Sequence, residues 1–88
     1  MLLQELIQAI QPIEVVGSTN IAIRNIHFDS RQIEEGDLFV AQMGTAVDGH
    51  HFIEGCAAKG AAAVVLSNRQ YMPTEVRGST YIRSVTPT

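Results

Sequence analysis

The sequence predicts a small single-domain α/β fold: a mixed sheet of about four to five strands, a βαβ unit and two main helices. Two short apolar runs, "LFVA" at 38–41 and "AAAVVL" at 61–66, have the length and continuity of strands covered on both faces. Between them Phe52, Ile53, Cys56 and Ala57 share a helical stripe, and Gly60 stands where that helix should stop. Strand, helix and strand at this spacing make a βαβ crossover. The length sets the scale. A chain of 88 residues holds one modest core, burying roughly 60–70% of its unfolded surface.

The remaining elements follow in order. Leu3, Leu6, Ile7 and Ile10 recur every three or four residues, which predicts an amphipathic helix packing one face on the core, ended by Pro12. Gly17 to Asn20 reads as a turn. In "IAIRNIHF", Ile21 and Ile23 alternate in one parity and Ile26 and Phe28 in the other. One flat strand cannot put all four on one face, so a bulge or tight turn is expected near Arg24-Asn25. "EEGD" at 34–37 is a turn leading into the 38–41 strand. After Pro73 and the turn Arg77-Gly78-Ser79, "TYIRSV" is a last strand. The chain then stops at "TPT", which resembles a domain cut at a linker, with larger neighbours expected beyond it.

Composition narrows the function. Hydrophobic residues make up 45% and charged residues 17%, and acidic side chains outnumber Lys and Arg nine to six. The five arginines are scattered and aromatics are few, which argues against a nucleic-acid surface. Cys56 is alone, so no intrachain disulfide or CxxC site can form. The opening "MLLQELIQAI" lacks a basic start and carries Glu5 within its apolar stretch, unlike a signal peptide. No apolar run approaches the ~20 residues that span a bilayer. A cytoplasmic protein is expected.

Ligands of open α/β sheets bind beyond the carboxyl ends of the strands. That rule nominates "GTAVD" at 44–48, which links a strand to a helix, with Gly44 and Gly49 letting backbone approach a ligand. Asp48 precedes the periodic helix, where a carboxylate serves as N-cap. His50 and His51 then fall in the first helical turn, expected to be partly exposed. A metal site built on Asp48, His50, His51, His27 and Cys56 is disfavoured. His51 and Cys56 are separated by about 140° around a helix, and no HExxH or paired-cysteine spacing exists. "DSR" at 29–31 is the second polar cluster. Ser30 and Arg31 offer a hydroxyl and a guanidinium for a ligand, or Asp29 and Ser30 serve only the local turn. No GxxxxGK[ST] is present, so this chain shows no P-loop for ATP.

The string "FDSRQIEEGDLFVAQMGTAVDGHHFIEGCAAKGAAAVV" at 28–65 resembles the N-terminal domain of the Mur ligases, and 2–10 and "VVGSTNIAIRNI" extend the likeness over almost the whole chain. Within that family it is most similar to the MurE type, with the MurF type as the rival. The resemblance implies that residues 1–88 are a UDP-substrate-binding domain. The complete enzyme would use ATP and magnesium to activate a UDP-MurNAc-L-Ala-D-Glu carboxylate for attack by meso-diaminopimelate or L-lysine. A MurF-type enzyme would add D-alanyl-D-alanine instead. Central and C-terminal domains would hold the P-loop and the amino-acid site, so this portion alone would catalyse nothing.

Carried over by position, Phe28, Ser30, Thr45, Ala46 and Val47 match the family's nucleotide-contacting residues, with Arg31 and Gly44 as further candidates. Thr45-Ala46 replaces a common histidine-glutamine pair, so recognition there is expected through the backbone. Phe28 and Val47 would cover the uracil face, and Ser30 would reach ribose or pyrophosphate. With a net charge of −3, recognition of an anionic ligand must be local. From a different functional class, a stand-alone binding or interaction module would also fit a fold of this size.

Overall fold

The computed structural model describes residues 1–10, 12–41, 49–75 and 78–84. Five strands form one mixed sheet: β1 (Glu14–Val16), β2 (Ile26–His27), β3 (Leu38–Val40), β4 (Ala63–Leu66) and β5 (Thr80–Arg83). Their order across the sheet is β1-β5-β4-β3-β2, with β2 to β5 parallel and β1 antiparallel at the edge. Two helices accompany it, α1 (Leu3–Ile10) and α2 (Ile53–Ala58), the second entered through a 3-10 turn at Gly49–Phe52. Among the described residues, no helix is long and apolar enough to cross a membrane.

The continuous apolar runs are explained by burial on both faces. Leu38 and Val40 join Ala63, Val65 and Ile82 in a core under α1, which contributes Leu3, Leu6 and Ile7. Phe39 and Ala41 join Val64, Leu66 and Tyr81 in a second core with Ile53 and Cys56 of α2. Successive side chains of a strand point to opposite faces, so each run feeds both cores. Fully burying a side chain of this kind contributes roughly 1.5–3 kcal/mol. The helix α2 stops as expected, at Gly60 with φ +96, a conformation open to glycine at no steric cost.

Two expectations are corrected. Ile21 and Ile23 do not belong to the sheet. They run beside the chain's start, where Leu3 N–H donates to the Ile21 carbonyl at 2.9 Å and Ile23 N–H to that of Met1 at 2.6 Å. The break at Arg24-Asn25 is there, yet it does not bring all four apolar residues to one face. Ile23 is buried under α1, whereas Ile26 and Phe28 are 38% and 58% exposed. The second correction is β1, which the sequence reading passed over. It is held to β5 by its register and by the Glu14–Arg83 ion pair at 3.0 Å.

The turn before β3 is closed from both sides. Asp37 N–H donates to the Glu34 carbonyl at 3.1 Å, and Asp37 Oδ2 accepts from Glu34 N–H at 2.9 Å. This carboxylate is buried, with His27 Nε2 3.6 Å from Oδ2. Its Oδ1 has no hydrogen-bond partner among the described residues.

Candidate functional site

Four parallel strands put four carboxyl ends along one side of the sheet. Phe28 and Asp29 follow β2, Ala41 follows β3, Ser67 and Asn68 follow β4, and Ser84 follows β5. His27 is level with Phe39 in the register, so Phe28 leaves the sheet beside the end of β3. The topology therefore brings the DSR segment and both flanks of 42–48 to the same edge. Gly44, Thr45, Ala46, Val47 and Asp48 lie outside the described residues, and with them the expected cap at Asp48. The α-helical part begins one turn later than the sequence suggests, with Phe52 in the cap position and no side-chain capping bond.

Phe28 is the most exposed large apolar side chain among the described residues. Nothing in the fold requires a bare ring at a strand end, and an exposed ring can cover a flat ligand. The DSR segment forms a 3-10 turn, Ser30–Gln32, capped by Asp29, whose Oδ1 accepts from Arg31 N–H at 2.9 Å. The same carboxylate takes Arg31 Nε at 3.1 Å and Nη2 at 2.8 Å. The local turn reading of Asp29 is thus correct, and it also occupies one side of the Arg31 guanidinium. Hydrogen bonds from the Arg31 side chain, then from its N–H, pull the Asp29 carboxyl down to about 2, and Asp29 in turn raises Arg31. Both groups stay ionised at neutral pH, and this mutual neutralisation weakens Arg31 as an anion receptor. The Ser30 hydroxyl makes no hydrogen bond among the described residues. Its carbonyl accepts from Lys59 Nζ at 2.8 Å, which ties the turn to the end of α2.

The two histidines separate. His51 is exposed, as expected of a first-turn residue, but His50 is buried at 1% exposure. Its Nε2 accepts the backbone N–H of Ser67 at 3.2 Å and of Asn68 at 3.1 Å. The ring also meets Tyr71 at a centroid distance of 5.3 Å. A nitrogen engaged in this way is not available to a metal. Among the described residues no three His, Cys, Asp or Glu side chains come together as ligands. Cys56 is buried, and burial pushes its thiol above the ordinary value, unlike an activated nucleophile.

A separate cleft of about 270 Å³ opens between the start of α2 and residues 70–74, lined by Ile53, Glu54, Tyr71, Met72, Thr74 and Tyr81 among others. It falls below the roughly 300–1,000 Å³ of sites for drug-sized ligands. A nucleotide does not fit within it, which leaves the edge around Phe28 as the candidate.

Residues 22–87 match the family model described as Mur ligase family, catalytic domain. The chain belongs to the Mur ligase family. Among its relatives is the UDP-N-acetylmuramoyl-L-alanyl-D-glutamate–2,6-diaminopimelate ligase of Bacteroides thetaiotaomicron, 45% identical over 83 residues. The match covers 94% of this chain and 17% of that ligase. The enzyme of the same name from Parabacteroides distasonis is 46% identical over 63 residues, covering 72% of this chain and 13% of the relative. Among solved structures, MurF from Acinetobacter baumannii superposes with a TM-score of 0.74 at 26% identity, over 98% of this chain and 18% of that one. MurF of Thermotoga maritima in complex with ADP gives 0.61 at 28% identity, over 73% and 14%. This Mur ligase chain thus spans about a sixth of the relatives it matches, and its sequence favours the MurE type over the MurF type.

His50 is the residue whose role the sequence reading missed. Its place in "DGHH" drew attention to the imidazole as a ligand or acid–base group. The N–H groups it serves lie 17 and 18 residues further along the chain, and only the tertiary fold reveals them.

Proposed function

We propose that residues 1–88 are the N-terminal domain of a MurE-type ligase and hold the uridine-diphosphate end of UDP-MurNAc-L-Ala-D-Glu. The observation that carries this reading is Phe28, bare at the carboxyl edge of the parallel strands and next to the two flanks of 42–48. Its ring covers one face of the uracil. The Ser30 hydroxyl, without a protein partner, donates to ribose or pyrophosphate oxygen. Thr45, Ala46 and Val47 complement the uracil carbonyls and N–H through the backbone, with Val47 on the ring and Gly44 permitting the approach. Arg31, half neutralised by Asp29, adds only a weak outer attraction.

Binding here is positioning. The UDP end anchors the substrate so that its distant D-glutamyl carboxylate reaches the reacting centre, and binding energy remote from the chemistry is used for orientation. ATP and magnesium supply carboxylate activation in the complete ligase, but the residues of this chain do not fit them. It has no P-loop, and its single lysine, Lys59, is committed to the Ser30 carbonyl. The central and C-terminal domains of the same cytoplasmic enzyme hold those groups and the incoming amine. The third peptide residue added is meso-diaminopimelate or L-lysine.

The structural similarity to MurF proteins supports a second reading, a ligase that adds D-alanyl-D-alanine. The test is ligation by the intact protein with ATP and magnesium. Incorporation of labelled diaminopimelate or lysine into UDP-MurNAc-L-Ala-D-Glu supports the first reading. Incorporation of D-alanyl-D-alanine into the tripeptide acceptor, with no reaction on the dipeptide, replaces it by the second. Absence of both reactions overturns the ligase reading.

A further inference from the structure

The two flanks of 42–48 are fastened to one place. On the entry side, buried Ala41 donates its N–H to the Val65 carbonyl at 2.8 Å. On the exit side, His50 Nε2 accepts from Ser67 and Asn68 at 3.2 and 3.1 Å. Val65, Ser67 and Asn68 are the end of β4 and the residues just beyond it. A ring nitrogen that accepts two N–H groups carries no proton, so the imidazole is the Nδ1–H tautomer. Tyr71 backs the ring, and the 3-10 turn at Gly49–Phe52 starts beside it.

We infer that His50 is the positioning residue of the uridine-diphosphate loop. It is a clasp that sets where 42–48 ends relative to β4, without itself touching the ligand. The inference rests on the reading of 44–47 as that loop. The chemistry is specific to an acceptor: the ring fills space, but only its Nε2 satisfies the two N–H groups. A ring without an acceptor leaves both donors unpaired and frees the flank, and a displaced binding group weakens recognition steeply.

The test uses the intact ligase with His50→Phe, which keeps a ring, and His50→Gln, whose amide oxygen can accept both N–H groups. His50→Phe is expected to raise KM for UDP-MurNAc-L-Ala-D-Glu by about 10- to 100-fold while leaving KM for ATP unchanged. His50→Gln is expected to restore most of that loss. In the wild-type protein, UDP is expected to slow amide exchange at Ser67 and Asn68, because a ligand held by the loop also holds the clasp closed. Unchanged KM for the UDP substrate in His50→Phe overturns the clasp and leaves the UDP site standing. Parallel losses for both substrates, or no rescue by Gln, also overturn it, as signs of general damage. If His50→Phe does not fold, unaltered exchange at Ser67 and Asn68 in the UDP-bound wild type refutes the clasp. Failure of the wild type to bind UDP removes both readings.

Discussion

Replacing Phe28 with alanine separates a binding ring from a packing one. The side chain is 58% exposed, so less than half of its surface contributes to the core. A fully buried Phe→Ala change costs about 3–5 kcal/mol, and the partial burial here scales that to about 1–2 kcal/mol of stability. Stacking a base on an aromatic ring contributes about 1–3 kcal/mol, which weakens UDP about 5- to 150-fold once the ring is gone. The Kd for UDP, by calorimetry on the intact protein, reads the binding effect, and a thermal melt of the same sample reads stability. Phe28→Tyr retains a stacking face and is expected to bind within a few-fold of wild type. A Phe28→Ala protein that is folded and binds UDP within about twofold of wild type would refute the stacking argument.

The Asp29 carboxyl is expected to titrate near 2 by carbon-13 NMR, and Arg31→Ala to return it to the usual range of about 4. Its folded value lies below the unfolded one, so the stabilisation is present above about pH 4 and is lost as pH falls through about 2. Gly17→Ala places a Cβ 2.8 Å from Thr80 Oγ1 and 3.0 Å from Thr80 Cα, at φ +120. Chemical denaturation should show a loss of about 1–3 kcal/mol. Gly55→Ala, inside α2 with nothing within 4 Å of the added Cβ, should instead stabilise by about 0.5–1 kcal/mol. Cys56, buried and with its thiol raised by burial, should react with an aromatic disulfide reagent only slowly until denaturant is added.

Much of the architecture was legible because it rests on local pattern. Leu38–Val40 and Ala63–Leu66 are apolar without interruption because α1 and α2 cover opposite faces of the same strands. Gly60 marks a real helix stop, and the string 28–65 carried the family. What escaped depends on distant partners. β1 is three residues long and exists through its pairing with β5, whose partner residues lie near the other end of the chain. The parity switch between Ile23 and Ile26 was visible. That Ile26 and Phe28 would stay outside the core was not, because hydrophobicity alone does not distinguish a core residue from a ligand platform. At the site, "DSR" displayed its residue types but not that Asp29 grips Arg31 or that Lys59 reaches the Ser30 carbonyl. His50 was noticed for the wrong chemistry: its ring serves two backbone N–H groups.

The central claim is that the carboxyl edge around Phe28 holds uridine diphosphate. Amide hydrogen exchange of the intact protein, with and without UDP, tests it directly. Protection confined to peptides covering 28–31 and 41–50, and extending to 67–68, is the predicted result, with the far edge at Glu14–Val16 unchanged. Saturating UDP that leaves 28–31 and 41–50 exchanging as in its absence, or that protects a different edge of the sheet, would contradict it.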